Sequence, residues 1–199
     1  MSGVERVIMS QVDKTANPGP LGLMGFGMTT VLLNLHNTAP DIFSFSSMIL
    51  AMGLCYGGAA QVIAGIMEWK KGNSFGTLAF TSYGFFWISL VAIKALPAWG
   101  VGAAADAKSM GAYLLMWGIF TAGMFIGTLK LNRALQVVFG LLTALFVLLA
   151  IKDFTGVAVV GNIAGVVGLL TGFSAIYTAF AELLFEVYGK IVLPVGPVE

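Results

Sequence analysis

Six uncharged, mostly apolar stretches, each about long enough to cross a bilayer, fill nearly all of this 199-residue chain: Thr15–Pro40, Ile42–Met67, Gly72–Ile93, Ser109–Leu129, Ala134–Ile151 and Phe154–Ala181. A membrane-spanning helix needs roughly 20 apolar residues. Hydrocarbon offers no water to exposed backbone groups, so each stretch must close its own hydrogen bonds as a helix. Charged residues make up 10% of the chain, against about 25% in an ordinary soluble domain. The reading is an all-α membrane protein of six transmembrane helices, with the bilayer as its first partner. The domains expected are an N-terminal segment 1–16, a six-helix domain 17–192 and a C-terminal tail 193–199.

Loop charges set the orientation. With six spans, both termini share a face with the second–third and fourth–fifth connections. That face carries Arg6, Lys14, Lys70, Lys71, Lys130, Arg133 and Lys190, while Lys94, Lys108 and Lys152 lie on the other. Positive residues stay cytoplasmic, so both termini are placed inside, in a plasma-membrane protein. Asp41, Asp106 and Asp153 then face outward. The N-terminus has mixed charges and no apolar core of a signal peptide. A net charge of +1, with no basic run beyond Lys70–Lys71, gives no case for nucleic acid.

Asn17-Pro-Gly-Pro-Leu-Gly-Leu23 opens the first helix. Asn17 suits an N-cap and Pro18 the first helical position. The expected result is a helix mouth with free amide donors at Leu21 and Gly22, suited to an anion, or simply a rigid helix start. Asn73 or Ser74 should cap the third helix. The fifth–sixth connection is expected near Lys152–Asp153. The chain divides into two groups of three helices, and a 3+3 inverted organisation is an architecture that this division permits. Glycine pairs at four-residue spacing, Gly53/Gly57, Gly123/Gly127, Gly161/Gly165 and Gly168/Gly172, let helix backbones approach.

Residues that carry chemistry are few. His36 is the one histidine, which excludes multi-histidine metal sites and a HExxH protease; no GxSxG elbow exists. No enzyme activity, metal or cofactor is expected. Cys55 reads as a buried structural thiol, His36 as a polar residue near the outer end of helix one, and Lys94 as an interfacial anchor. Glu68 and Glu182 lie near helix ends and are candidates for proton coupling, or for pairing with Lys70, Lys71 or Lys190. No Arg or Lys stands at mid-membrane, so an anionic solute would need neutral donors and helix dipoles, or would cross protonated. Neutral polar residues dot the spans, among them Thr30, Asn34, Gln61 and Thr143. Phe26, Thr30 and Asn34 recur every four residues and so share a face. That alternation suits a narrow path for a small polar solute; interhelical hydrogen bonding is the plainer reading.

The segments Asn17–Leu23, MGFGMTT (Met24–Thr30), LNLHN (Leu33–Asn37), Tyr56–Trp87, GTLK (Gly127–Lys130) and SAIYTAFAE (Ser174–Glu182) resemble the acetate uptake transporter family, also called the succinate–acetate permease family. Gly19 departs from it, since many members carry Ala there. The resemblance implies a homohexamer with one pathway per subunit that moves acetate, and in some members succinate, often linked to protons. It implies a constriction of Phe26, Tyr83 and Leu142, with the Tyr83 hydroxyl free to hydrogen-bond a carboxyl group, and places Ala175 where substrate size is adjusted. Asn17, Leu21, Gly22, Thr30, Asn34, Gln61, Thr143 and Ala175 complete the candidate substrate-binding set. A channel for urea or a short amide, and a non-transporting membrane scaffold or sensor subunit, are the readings set against it.

Overall fold

A computed structural model describes residues 15–198; the expectations for Arg6, Lys14 and most of the segment 1–16 lie outside them. Six long helices run antiparallel in sequence: α1 (Gly19–Thr38), α2 (Ser47–Lys70), α3 (Ser74–Trp99), α4 (Ala107–Thr128), α5 (Arg133–Thr155) and α6 (Ala158–Tyr188). Helix α2 contains a π-helical stretch, Cys55–Ala60, and α3 ends in a 3-10 turn, Leu96–Trp99. By length and composition, all but α1 are apolar enough to cross a membrane. Helix α1 carries Asn34, His36 and Asn37 in its last turns. It tolerates them because it is enclosed by α2, α3 and α6 rather than left to lipid.

The helix ends differ from the expected ones for local reasons. Helix α5 runs through Lys152 and Asp153, which form a surface ion pair at 2.8 Å on its last turn. Gly156, at φ +72°, is what stops it, so the fifth–sixth connection is Gly156–Val157. Helix α6 continues seven residues past Ala181, because Glu182 and Glu186 end an apolar run without ending a helix.

Three of the starts share one device. The side chain of Asn17 accepts from the Gly19 N–H at 2.9 Å, that of Asn73 from Gly76 N–H at 3.1 Å, and that of Asn132 from Leu135 N–H at 2.8 Å. Each satisfies a first-turn amide that hydrocarbon would leave bare. All three odd-numbered helices therefore start on one face beside an asparagine; in α1, contrary to expectation, Pro18 and not Asn17 occupies the N-cap position, so Asn17 reaches the Gly19 amide from one residue farther out. The tail returns to that face. Val195 and Gly196 carbonyls accept from the Ala134 and Arg133 amides at 3.0 and 2.7 Å, and the Tyr177 hydroxyl donates to Pro194 O at 2.9 Å.

The two groups of three helices are not separate bundles. The most extensive packing in the molecule joins α1 to α6, the first helix of one group to the last of the other. The next most extensive packing joins α2 to α3, α4 to α5 and α5 to α6. The α1–α6 seam depends on glycine. A Cβ at Gly172 would lie 2.8 Å from Gly27 O and 2.9 Å from Val31 N, and one at Gly168 would overlap the Asn34 side chain. The Gly123/Gly127 pair behaves differently: Gly127 faces Phe75, but Gly123 has open space around it. Cys55 is exposed, not buried, since each span turns a large part of its surface outward and the π stretch presents its thiol on that side.

On the opposite face, His36 Nδ1 lies 2.8 Å from Phe43 O, and Lys94 sits 6.0 Å from the Phe45 ring centroid. Together they hold the α1–α2 connection. Asp106 caps α4 by accepting from Lys108 and Ser109 amides. Those bonds, the Ser109 amide first and its hydroxyl next, hold the Asp106 carboxyl below the usual carboxylate range.

Because the obstruction at Gly172 is backbone, Gly172→Ala is expected to cost about 1–3 kcal/mol, whereas Gly123→Ala should stay within about 0.5 kcal/mol of the parent; thermal unfolding in detergent compares the two. Asn132→Ala, which removes a cap while leaving the tail's two hydrogen bonds, should cost about 1 kcal/mol by the same measurement.

Candidate functional site

Helix rise places the candidate residues at one depth. Phe26 follows its cap Asn17 by nine residues, Tyr83 follows Asn73 by ten and Leu142 follows Asn132 by ten. At 1.5 Å per residue all three lie roughly 14–15 Å below the capped face, near the middle of a ~30 Å hydrocarbon layer. Gln61, nine residues before the end of α2 at Lys70, reaches the same depth from the neighbouring antiparallel helix.

A cavity of about 480 Å³ occupies the space between that level and the capped face, inside the range of small-molecule sites. Its mouth is polar: Asn17, Asn73, Asn132, Glu68, Glu182 and Lys130 line it. Its walls are Leu23, Phe75, Ala79, Phe80, Leu135, Val138 and Phe139. Phe26, Gln61, Tyr83 and Leu142 also line it, at 5%, 0%, 3% and 2% exposure. No lining residue of α1, α3 or α5 lies beyond that level. The path expected from the polar stripe is thus open from one face and closed at its middle.

The closure is aromatic. The Phe26 and Tyr83 rings stand 5.8 Å apart, and Tyr83 also meets Phe120, Phe139 and Trp117 at 5.5, 6.0 and 6.2 Å. Behind it Phe86 packs on Phe146 and Trp117 at 5.1 and 5.2 Å. These rings meet tilted or edge to face, arrangements that the ring quadrupoles favour.

The Tyr83 hydroxyl is not free to donate to a solute. It donates to Thr121 Oγ1 at 3.0 Å, and Thr121 Oγ1 donates to Trp117 O at 2.7 Å. A backbone carbonyl only accepts, so the direction of this relay is fixed. What Tyr83 retains toward a solute is its acceptor capacity.

Gln61 is the second polar group at this level. Its Nε2 donates to Gly57 O at 2.6 Å, in the π-helical stretch, while its Oε1 is buried without a partner. Among the described residues, Thr30 Oγ1 and Trp87 Nε1 are likewise buried and unpartnered. Each stands one helical turn past the constriction, four residues beyond Phe26 and Tyr83 respectively. Burying such an atom unmet costs about 1–3 kcal/mol, and here the orphans gather at the closed level and just behind it.

At the mouth, the two carboxylates take asparagine amides rather than lysines. Asn73 Nδ2 donates to Glu68 Oε2 at 2.8 Å, and Asn17 Nδ2 to Glu182 Oε2 at 3.3 Å. Each cap therefore serves two ends at once, its carbonyl oxygen a helix amide and its NH₂ a carboxylate on the neighbouring helix. Lys71 Nζ instead donates to Thr15 O at 2.9 Å. A Cβ at Gly19 would lie 2.5 Å from Glu182 Oε2, so the glycine at this position leaves room for the carboxylate.

Other candidates fall outside the cavity lining. The Gly22 amide is engaged with Pro18 O at 3.1 Å, not free, and its missing Cβ makes way for the Phe80 ring. With Pro18 and Pro20 lacking N–H groups, the first turn has one further amide, that of Leu21. Asn34 Nδ2 donates to Thr30 O at 2.9 Å and its Oδ1 accepts from Asn37. Thr143 donates to Phe139 O within its own helix at 2.8 Å. Ala175 is fully buried in the apolar cluster that contains Phe26. The three-asparagine mouth was not singled out from sequence as a site. Its signal was there, in Asn at nine or ten residues before each constriction residue, but it becomes visible only once the constriction is known.

Comparison with known proteins gives the relatives of this chain. The family model described as the GPR1/FUN34/yaaH family matches residues 4–199. The succinate-acetate/proton symporter SatP of Escherichia coli K12 is 56% identical over 183 residues, covering 92% of this chain and 96% of that protein. The ammonia transport outward protein 2 of Saccharomyces cerevisiae is 39% identical over 178 residues, 86% of this chain and 63% of the yeast protein. The solved structure of the bacterial acetate channel SatP superposes with a TM-score of 0.90 at 56% identity, covering 92% of this chain and all of that one. With nearly the full chain matched by the family model and a relative 56% identical over 92% of it, this six-helix membrane protein belongs to the GPR1/FUN34/yaaH family.

Proposed function

We propose that this protein moves acetate, and other short carboxylates such as succinate, across the cell membrane in a proton-linked manner, through one pathway in each subunit of a homohexamer. The observation that carries this reading is the uncharged closure of Phe26, Tyr83 and Leu142 at the floor of a cavity whose mouth gathers three helix N-termini. The names of its relatives, a succinate-acetate/proton symporter and an acetate channel, support the same cargo.

The chemistry divides between mouth and floor. The N-terminal ends of α1, α3 and α5 carry partial positive charge and Lys130 a full one, set against the carboxyls of Glu68 and Glu182, so the mouth favours an anion to the extent that those two carboxyls hold protons. At the floor there is no cation to replace lost water, and stripping a hydrated ion there is costly. Small size and a methyl group that packs against Phe26 and Leu142 favour acetate; a proton removes its charge. Glu68 and Glu182, at the mouth, are the candidates for delivering that proton, with Asn17 and Asn73 orienting them. By its loop cations, the capped face is cytoplasmic and both termini lie inside. Ala175, buried in the same apolar cluster as Phe26, tunes the space available around the constriction. The protein is a transporter and not an enzyme in this reading.

The test is labelled acetate uptake into reconstituted vesicles, with and without an imposed proton gradient. Gradient-driven accumulation that unlabelled succinate inhibits, and urea or ammonium does not, is the expected result; uptake indifferent to the gradient removes the proton link, and no uptake removes the function. Leu142→Ala is expected to widen the closure and raise succinate uptake relative to acetate. Equal loss of both fluxes would place Leu142 off the path.

A further inference from the structure

We infer that the outer groove between the start of α5 and the later turns of α6 holds an anionic phospholipid, with Arg133 as the residue that takes its phosphate. The groove measures about 440 Å³ and shares no lining residue with the central cavity. It faces outward, since Val137 and Tyr177 on its walls are 51% and 39% exposed. The tail forms the third wall, and it is tied in place. Gly196 and Val195 carbonyls accept from the Arg133 and Ala134 amides at 2.7 and 3.0 Å, and the Tyr177 hydroxyl donates to Pro194 O at 2.9 Å. The groove is therefore built before anything enters it.

Its polar groups are spent, with one exception. The tail takes the first two amides of α5 and Asn132 the third, so the helix start has none left to offer here. Thr178 and Ser174 donate their hydroxyls to carbonyls of their own helix at 2.8 Å. Arg133 is the exception. Of the five N–H donors of its guanidinium, one goes to Gln136 Oε1 at 2.8 Å. Among the described residues the one ion pair is Lys152–Asp153, at the other end of α5, and no acid lines the groove. A Cβ at Gly196 would lie 3.0 Å from Arg133 Cβ and Cγ, so the tail backbone runs along the root of the arginine and steadies it.

The occupant must be anionic at the rim of the bilayer and apolar one helical turn further in, which is the chemistry of a phospholipid. The guanidinium fork matches phosphate oxygens, and basic pockets between membrane helices take anionic headgroups. Below Tyr177 the exposed Phe173 and Leu170, four and seven residues back, continue the same apolar face of α6 and give an acyl chain its path. A zwitterionic headgroup would bring an ammonium beside the guanidinium; an anionic one does not, and is preferred.

The experiment offers the folded protein, in detergent, equal amounts of phosphatidylglycerol and phosphatidylcholine with the same acyl chains, and counts the lipid retained by native mass spectrometry. Preferential retention of phosphatidylglycerol is the expected result, and Arg133→Gln should lower that preference about tenfold, the effect of a charge-assisted hydrogen bond. Lys190→Gln, which removes an exposed cation outside the groove, should leave it within about twofold of wild type. The inference is overturned by a wild type without preference, by Arg133→Gln that keeps it, or by an equal fall in Lys190→Gln, which would mean a diffuse charge effect. It is also overturned if Arg133→Gln changes the number of subunits per particle, since the groove would then be an interface between copies of the chain. If Arg133→Gln does not fold, Val137→Trp decides: it fills the groove and leaves the guanidinium in place, so the preference should be lost, and its survival overturns the inference.

Discussion

A helix that starts at the rim of a bilayer must settle its first-turn amides before it enters hydrocarbon, because nothing further in will bond them. In this protein an asparagine does so for each odd-numbered helix. Much of the architecture depends on that constraint. The caps fix where α1, α3 and α5 begin, and the constant rise of a helix then carries Phe26, Tyr83 and Leu142 to a common depth. The constriction needs no long-range adjustment to stay level. Two of the caps also hold the carboxylates Glu68 and Glu182, so helix starts and cavity mouth are built from the same side chains.

Packing acts at right angles to this. Glycines on α6 let α1 come close enough for Gly27 O to reach the Gly172 backbone. On its other side α1 meets α2 and α3, where Phe26 stands against Tyr83. The π stretch in α2 turns Gln61 so that its amide bonds back to Gly57, leaving Oε1 unmet beside the closed level. Among the described residues the remaining buried side-chain N and O atoms have partners, and the tail's carbonyls take up the α5 amides. Of the three orphaned atoms, Gln61 Oε1 belongs to a residue that lines the cavity, while Thr30 and Trp87 stand one helical turn beyond it.

The residues expected to act together separate into two groups. Asn17, Phe26, Gln61, Glu68, Tyr83, Leu142 and Glu182 share one cavity. Gly22, Thr30, Asn34, Thr143 and Ala175 do not line it. They shared a helical face or a motif with cavity residues, but helix spacing does not say how far round the neighbouring helix a face turns. Asn34 shows this well: four residues beyond Thr30 and eight beyond Phe26, it packs against Gly168 of α6 instead of the path. Tyr83 shows it chemically. Its hydroxyl was legible as a donor, yet its partner, Thr121, lies 38 residues away on α4.

The sequence by itself determined the membrane, the six helices, the Asn73 cap and the shared face of the odd-numbered starts. These depend on composition, on local hydrogen bonding and on a fixed rise per residue, all of which act along the chain. Only the tertiary structure decided that the path is closed at its middle, that Tyr83 gives its hydroxyl hydrogen to Thr121 and Gln61 keeps Oε1 unmet, that the carboxylates take asparagine and not lysine, and that Cys55 faces outward. Each of these depends on which helix stands beside which, and at what rotation. Neighbours far apart in sequence settle that through backbone contact at glycine, with no signature in the order of residues.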